Sequence, residues 1–129
     1  MYSTPEMKGL ETICVKIRLD RGFLFVYCLY IQLASAITVY AEHLEAIRKL
    51  KIGVNDIVMI TGDFNLPIIK WVENDESCDF IPMIGQSDSE EANIARFVTT
   101  SMTEMGFHQM NDVKNRLGNV LDLIYTNVP

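Results

Sequence analysis

Between Thr12 and Leu19 apolar and polar positions alternate, with Ile13, Val15, Ile17 and Leu19 set against Thr12, Cys14, Lys16 and Arg18. A period of two is that of a half-buried β-strand. Asp20-Arg21-Gly22 interrupts it as a turn. Phe23 to Tyr30 is then almost continuously apolar, aromatic and β-branched, the pattern of a strand covered on both faces. The short connection makes a hairpin of the two. Ile37, Tyr40, Leu44 and Ile47 recur at helical spacing, with Glu42, His43, Glu45, Arg48 and Lys49 mostly on the other side. This predicts an amphipathic helix of about three turns. Past Lys51-Ile52-Gly53 a strand is expected over Ile57–Thr61. Ser87 and Glu90 stand at capping-box spacing ahead of Ile94, Phe97, Val98, Met102 and Met105 on one face, and Gly106 closes this second helix. A last strand runs from Val120 to Tyr125. The acid-rich stretch 72–86, with Pro82 and Gly85, reads as an exposed loop, and residues 1–10, rich in turn formers, as a loose lead-in. Strands alternating with helices put the chain in the α/β class.

Composition narrows the picture. With 129 residues, 49% hydrophobic and 22% charged, the chain has enough apolar material for a core and is not a disordered tail. The net charge of −6 has the wrong sign for a protein that holds nucleic acid by whole-surface electrostatics. Cys14, Cys28 and Cys78 are odd in number and lack CxxC spacing, which supports neither a disulfide framework nor a zinc site. Residues 23–34, the longest apolar stretch, are too short to span a bilayer, and no basic-then-apolar signal opens the chain. The expectation is a soluble, intracellular protein, cytoplasmic or nuclear, with no membrane partner.

The candidate chemistry lies at residues 58–66, where an apolar strand stops at Gly62 and presents Asp63 and Asn65 two positions apart. On an extended backbone such residues point to the same side, at a strand end where ligand sites of α/β folds tend to lie. A carboxylate can orient and polarise water, and an amide can hold that water or a phosphate oxygen without adding charge. The alternative for the same residues is an Asx turn in which Asp63 or Asn65 caps its own backbone. Asp122, between Leu121 and Leu123, is an acid in an apolar strand, expected to be hydrogen-bonded or functional. Tyr30, with Tyr27 nearby in an apolar strand, reads from the residues as a core tyrosine.

Gly62-Asp63-Phe64-Asn65-Leu66-Pro67 resembles the GDFN signature of the endonuclease/exonuclease/phosphatase superfamily. With Trp71 following, it is similar to the apurinic-like endonuclease domain of insect non-LTR retrotransposons. Leu121-Asp122-Leu123-Ile124-Tyr125-Thr126-Asn127 resembles a later strand of that family. Tyr30 with Val39-Tyr40-Ala41-Glu42-His43-Leu44 resembles its strand-end tyrosine and the helix after it, without the usual prolines, in whose place stand Gln32 and Leu33. The resemblance runs from about Glu11 to Asn127. It implies a DNase I-like fold, two packed mixed sheets flanked by helices, of which residues 11–129 form part.

The resemblance also implies roles. Asp63 would help activate the attacking water, Asn65 would position water or phosphate, Tyr30 would donate to the scissile phosphate, and Asp122 would orient a histidine. That histidine belongs to a Ser-Asp-His segment absent from these 129 residues, as is the metal-binding glutamate in its Gln-Glu-Thr context. Glu11, in Leu10-Glu11-Thr12, matches instead a glutamate that opens the preceding strand, so no metal ligand is assigned. His43 and His108 are expected to be structural or on the surface. Intact relatives nick DNA with magnesium to prime reverse transcription. For this chain the implied function is a truncated or decayed retroelement endonuclease domain, with magnesium binding weak or absent. Alternatives are a non-catalytic interaction remnant and a phosphatase of the same superfamily. An uncovered sheet is expected to cause self-association.

Overall fold

The computed structural model describes residues 2–3 and 11–128. Among the described residues ten elements follow one another: β1 (Tyr2–Ser3), β2 (Thr12–Arg18), β3 (Phe23–Tyr30), α1 (Ile37–Arg48), β4 (Ile57–Asp63), β5 (Lys70–Glu73), β6 (Phe80–Met83), α2 (Glu90–Glu104), β7 (His108–Gln109) and β8 (Asp122–Thr126). The strands join one mixed sheet in the order β1-β2-β3-β4-β8-β7-β6-β5. Only β3 and β4 are parallel; the remaining neighbours are antiparallel. The α/β class is as expected.

The β2–β3 hairpin forms as its alternation predicts, in continuous register from Thr12↔Leu29 to Arg18↔Phe23. Its turn closes with the Leu19 N–H donating to the Gly22 carbonyl at 3.0 Å. From β3 the chain crosses through α1 to β4, the connection that parallel strands require.

Both helices pack on one face of the sheet. Phe25, Tyr27 and Leu29 of β3, Val58 and Ile60 of β4, and Leu123 and Tyr125 of β8 point into this core. They meet Tyr40, Leu44 and Ile47 of α1 and Ile94, Val98 and Met102 of α2. Each such side chain withdrawn from water contributes about 1.5–3 kcal/mol. The registers Val15↔Val26, Val26↔Met59 and Met59↔Thr126 define the other face. There Ile13 is 64% and Met59 38% exposed.

Several expectations give way. Ile13, Val15 and Ile17 lie on this open face, and the residue of β2 that enters the core is Cys14. Alternation reveals two faces but not which one the helices cover. His43, expected on the polar side of α1, is buried beside Tyr40, Leu44 and Ile47, at spacings of three and four that define the core stripe. Its ring packs edge-on to Tyr27, with Nδ1 3.3 Å from the phenol oxygen, and burial pushes its pKa down. It is structural, and not on the surface.

Residues 72–86 are no simple loop, because β5 and β6 pair from Lys70↔Met83 to Glu73↔Phe80. Asn74 ties the connection together: its carbonyl accepts from the Cys78 N–H, its Nδ2 donates to Ser77 Oγ, and its own N–H donates to the Asp79 carbonyl. Pro82 is tolerated because β6 meets β7 at Phe80 alone, so its outer side beyond that point is an edge. The cap of α2 is Ser89, whose Oγ accepts from the Ala92 N–H, while Ser87 Oγ accepts from the Ser89 N–H before the helix begins. The final strand begins at Asp122, two residues later than expected. Within the expected lead-in, Tyr2–Ser3 pair with Val15 and Lys16; the rest of residues 1–10 lies outside the described residues. Among the described residues no helix is long and apolar enough to cross a membrane.

Candidate functional site

Strand register assembles the site. Tyr30 on β3 stands opposite Asp63 on β4, and Asp63 stands opposite Asp122 on β8. Paired residues of neighbouring strands project to the same face with Cβ atoms about 4.5–5.5 Å apart. Tyr30, Asp63 and Asp122 therefore form a row along the end of three strands, on the open face. Glu11, whose carbonyl accepts from the Tyr30 N–H at 3.0 Å, continues the row one strand further out. Two strand spacings, about 9–10 Å of backbone, separate it from Asp63, with Tyr30 between them.

Gly62 makes the row possible. Its φ of +143° and the close passage of β3 leave no room for a side chain, since a Cβ would lie 1.8 Å from the Leu29 carbonyl oxygen. Beyond it the chain turns sharply. Asp63 Oδ1 accepts from the Asn65 N–H at 2.9 Å, and Asn65 sits at φ +48°. This is the Asx turn that the sequence allows, and it leaves the second carboxylate oxygen of Asp63 outside the turn. Asn65 Nδ2 donates to the Ile31 carbonyl at 2.7 Å, and the Ile31 N–H donates to the Asp63 carbonyl at 2.9 Å. The Phe64 N–H donates to the Leu121 carbonyl, and Tyr40 Oη donates to the Phe64 carbonyl at 2.7 Å. The turn is thus held from the residue before β8, α1 and the segment after β3 at once. Sequence reasoning missed Tyr40 as a support of the site; a tyrosine on the core stripe of a helix needs a partner for its hydroxyl, and that was the available signal.

Electrostatics distinguish Asp63. Burial pushes its pKa up, the Asn65 N–H opposes that shift, and the Asp122 carboxylate adds to it. Tyr40 is pushed up to about 12 by burial, with Asp63 and Glu91 adding their charges. A cavity of about 370 Å³ opens on the helix side of Asn65, walled by Leu33, Tyr40, Leu66 and Ile94 with Glu90 and Glu91 at its rim.

Of the four expected residues, register aligns Tyr30, Asp63 and Asp122, while Asn65 lies past the strand end, joined to Asp63 by the Asx turn and with its amide on the Ile31 carbonyl. The histidines do not join them: His43 is in the core, and His108 on β7 places Nδ1 3.1 Å from Asp79 Oδ2. Among the described residues no group of three or more His, Cys, Asp or Glu side chains could hold a metal ion. Two opposed carboxylates, one of them already engaged in a turn, fall short of the roughly six oxygens a hard cation takes.

No protein-family model matches the sequence, and no curated protein does. Among solved structures, the endonuclease domain of TRAS1, a telomere-specific non-LTR retrotransposon, is similar with a TM-score of 0.55 and 16% sequence identity. The match covers 89% of this chain and 49% of that one, so the chain spans about half the length of the domain whose fold it shares.

Proposed function

We propose that residues 11–127 are the part of a DNA-nicking, retroelement-type endonuclease domain that handles the attacking water. The observation that carries this reading is the row Tyr30–Asp63–Asp122 at one strand end, with Asn65 folded beside it. The fold shared with the TRAS1 endonuclease domain supports it.

The residues divide the work. Asp63, its pKa raised by burial and by Asp122, is shifted toward the range in which a carboxylate acts as a base near neutral pH. Its oxygen outside the Asx turn accepts a proton of the attacking water. Asn65 gives one N–H of its Nδ2 to the Ile31 carbonyl, which fixes the amide and leaves Oδ1 to accept from the same water and the second N–H to donate to phosphate. Tyr30, 46% exposed at the end of the row, donates its phenol proton to a phosphate oxygen. Asp122 orients a histidine supplied from outside these 129 residues. Magnesium, which the family resemblance implies, does not fit the carboxylates here as a complete site, and no step is assigned to it.

The test is a graft. Residues 11–127 replace the matching half of the TRAS1 endonuclease domain, and nicking of supercoiled plasmid is measured with magnesium. Nicking that falls about 100-fold or more in Asp63→Ala is expected, the scale seen when a member of such a constellation is removed. A graft that keeps native circular dichroism and does not nick overturns the proposal. The 129-residue chain alone should nick little or not at all. The open apolar face favours a second reading, a non-catalytic interaction remnant, and the inactive folded graft is its expected result.

A further inference from the structure

The loop after β3, the turn after β4 and the start of α2 enclose the cavity of about 370 Å³, a size at the small end of ligand pockets. Leu33, Tyr40, Leu66, Pro67 and Ile94 make its walls largely apolar. The backbone around it is fixed before any ligand arrives. Ser35 gives both its N–H and its hydroxyl to the Gln32 carbonyl, at 3.2 and 2.6 Å, Asn65 Nδ2 donates to the Ile31 carbonyl, and Tyr40 Oη donates to the Phe64 carbonyl. Ser89 caps the helix that carries Ile94. A pocket built this way has little ordering left to do on binding. Leu33, 66% exposed, still has apolar surface to lose.

The mouth is acidic. Glu90 and Glu91 line it from the first turn of α2, where the helix dipole favours carboxylates. The dipole explains two acids side by side but supplies no counter-ion. Among the described residues no Lys, Arg or His lines the cavity, and neither glutamate forms an ion pair. Arg96, the cation of α2, is taken by the carbonyls of Gly85 and Ser87. The charge of Glu91 reaches the wall: after burial and Asp63, it helps to push the Tyr40 phenol up to about 12.

An anion would meet two carboxylates and no cation. A hard metal ion would lack most of the roughly six oxygens it takes. A neutral apolar molecule would use the walls and leave the rim unused. A cation on an apolar body uses both, covering the walls while its head stays partly hydrated at the mouth.

We infer that this cavity binds a small organic cation whose apolar body lies against Leu33, Leu66 and Ile94 and whose ammonium or guanidinium head is held by Glu90 and Glu91. The site is separate from the row of carboxylates on the open face, and the inference does not depend on the endonuclease reading.

The test uses the 129-residue chain and probes that share one body: phenylbutylamine, charged at neutral pH, phenylbutanol and phenylbutyrate. In calorimetry the amine should bind saturably, about fivefold more tightly than the alcohol, and the carboxylate more weakly than either. Raising salt from about 20 mM to about 500 mM should bring the amine close to the alcohol, which reads the charge dependence without any substitution. Glu90→Gln with Glu91→Gln keeps the shape of the rim and removes its charge, so amine and alcohol should then bind alike. Leu33→Ala trims a wall at an exposed position and should weaken both about threefold, with their ratio unchanged. Failure of the amine to bind overturns the inference, as does equal binding of amine and alcohol by the unaltered chain. Amine binding untouched by Leu33→Ala puts the ligand elsewhere, the open apolar face included, and overturns it too.

Discussion

The two faces of the sheet are made from the same strands and differ in almost everything else. On the helix face Tyr27, Val58 and Ile60 are fully excluded from water, and the polar groups that enter, His43 and Tyr40, have partners. On the open face Val15, Val26 and Met59 are only half covered, and the row of Tyr30, Asp63 and Asp122 sits at its end. Stability is concentrated on one face and candidate chemistry on the other. Like-charged carboxylates opposed across strands are destabilising, a cost the helix face must offset.

The largest effect should come from Gly62→Ala. Its Cβ would run into the Leu29 main chain, with no flexible side chain to yield. A loss above about 4 kcal/mol is expected, among the most severe for a single substitution, and denaturant melts should lose their cooperative transition. A gentler response would show that β3 and β4 can separate.

Ile60→Ala and Met59→Lys, one residue apart, compare the faces directly. The first opens a hole in the core and should cost about 2–5 kcal/mol. The second, on a half-exposed position, should change stability by less than about 1 kcal/mol. It should also reduce self-association of the 129-residue chain, which the uncovered apolar face is expected to cause. Sedimentation over a concentration series checks this; a wild-type chain that stays monomeric with a concentration-independent melt would show the open face to be adequately solvated.

The smallest effect concerns pH. Asp63 has a folded-state pKa above its unfolded value, so the folded form binds its proton more tightly. That contribution to stability is complete below the unfolded pKa of about 3.8 and is lost as pH rises through the folded pKa. Relative to Asp63→Asn, the wild-type chain should therefore be most stable near pH 3 and lose that advantage on going to pH 7. A difference that is flat with pH, or that grows upward, would mean Asp63 is not desolvated.

How far the sequence discloses this structure follows from signal length. The strands β2, β3 and β4 and both helices carry five or more patterned residues each, and they form where the pattern puts them to within about two residues at their ends. The four-residue β5 and β6 and the two-residue β7 are below the length at which a period can be read, and Pro82 argues against a strand unless its edge position is known. His43 shows the limit of composition: spacing put it on the core stripe, while its polarity suggested the surface. Of the candidate residues, Asp63 and Asn65 were legible as a pair at a strand end and Asp122 as an acid among leucines, while Tyr30 was singled out by the family resemblance. Their mutual positions depend on the antiparallel β4–β8 pairing, which no local pattern specifies. Nor could the sequence decide between an Asx turn and a catalytic pair at Asp63, and the structure shows the turn leaving the second carboxylate oxygen available.

At the opposite end of the same strands, Asn127 Oδ1 accepts from the Val58 N–H and Asn127 Nδ2 donates to the Asp56 carbonyl. Asp56 in turn accepts from the N–H groups of Phe23 and Gly53. This clasp fixes where β8 starts counting. Side chains alternate, so a slip of one residue would turn Asp122 into the helix face and bring a leucine beside Asp63. The interval from Asp122 to Asn127 is therefore a ruler. The loop before it can lengthen or shorten freely, whereas a single insertion between those two residues would take the carboxylate pair apart without touching either member.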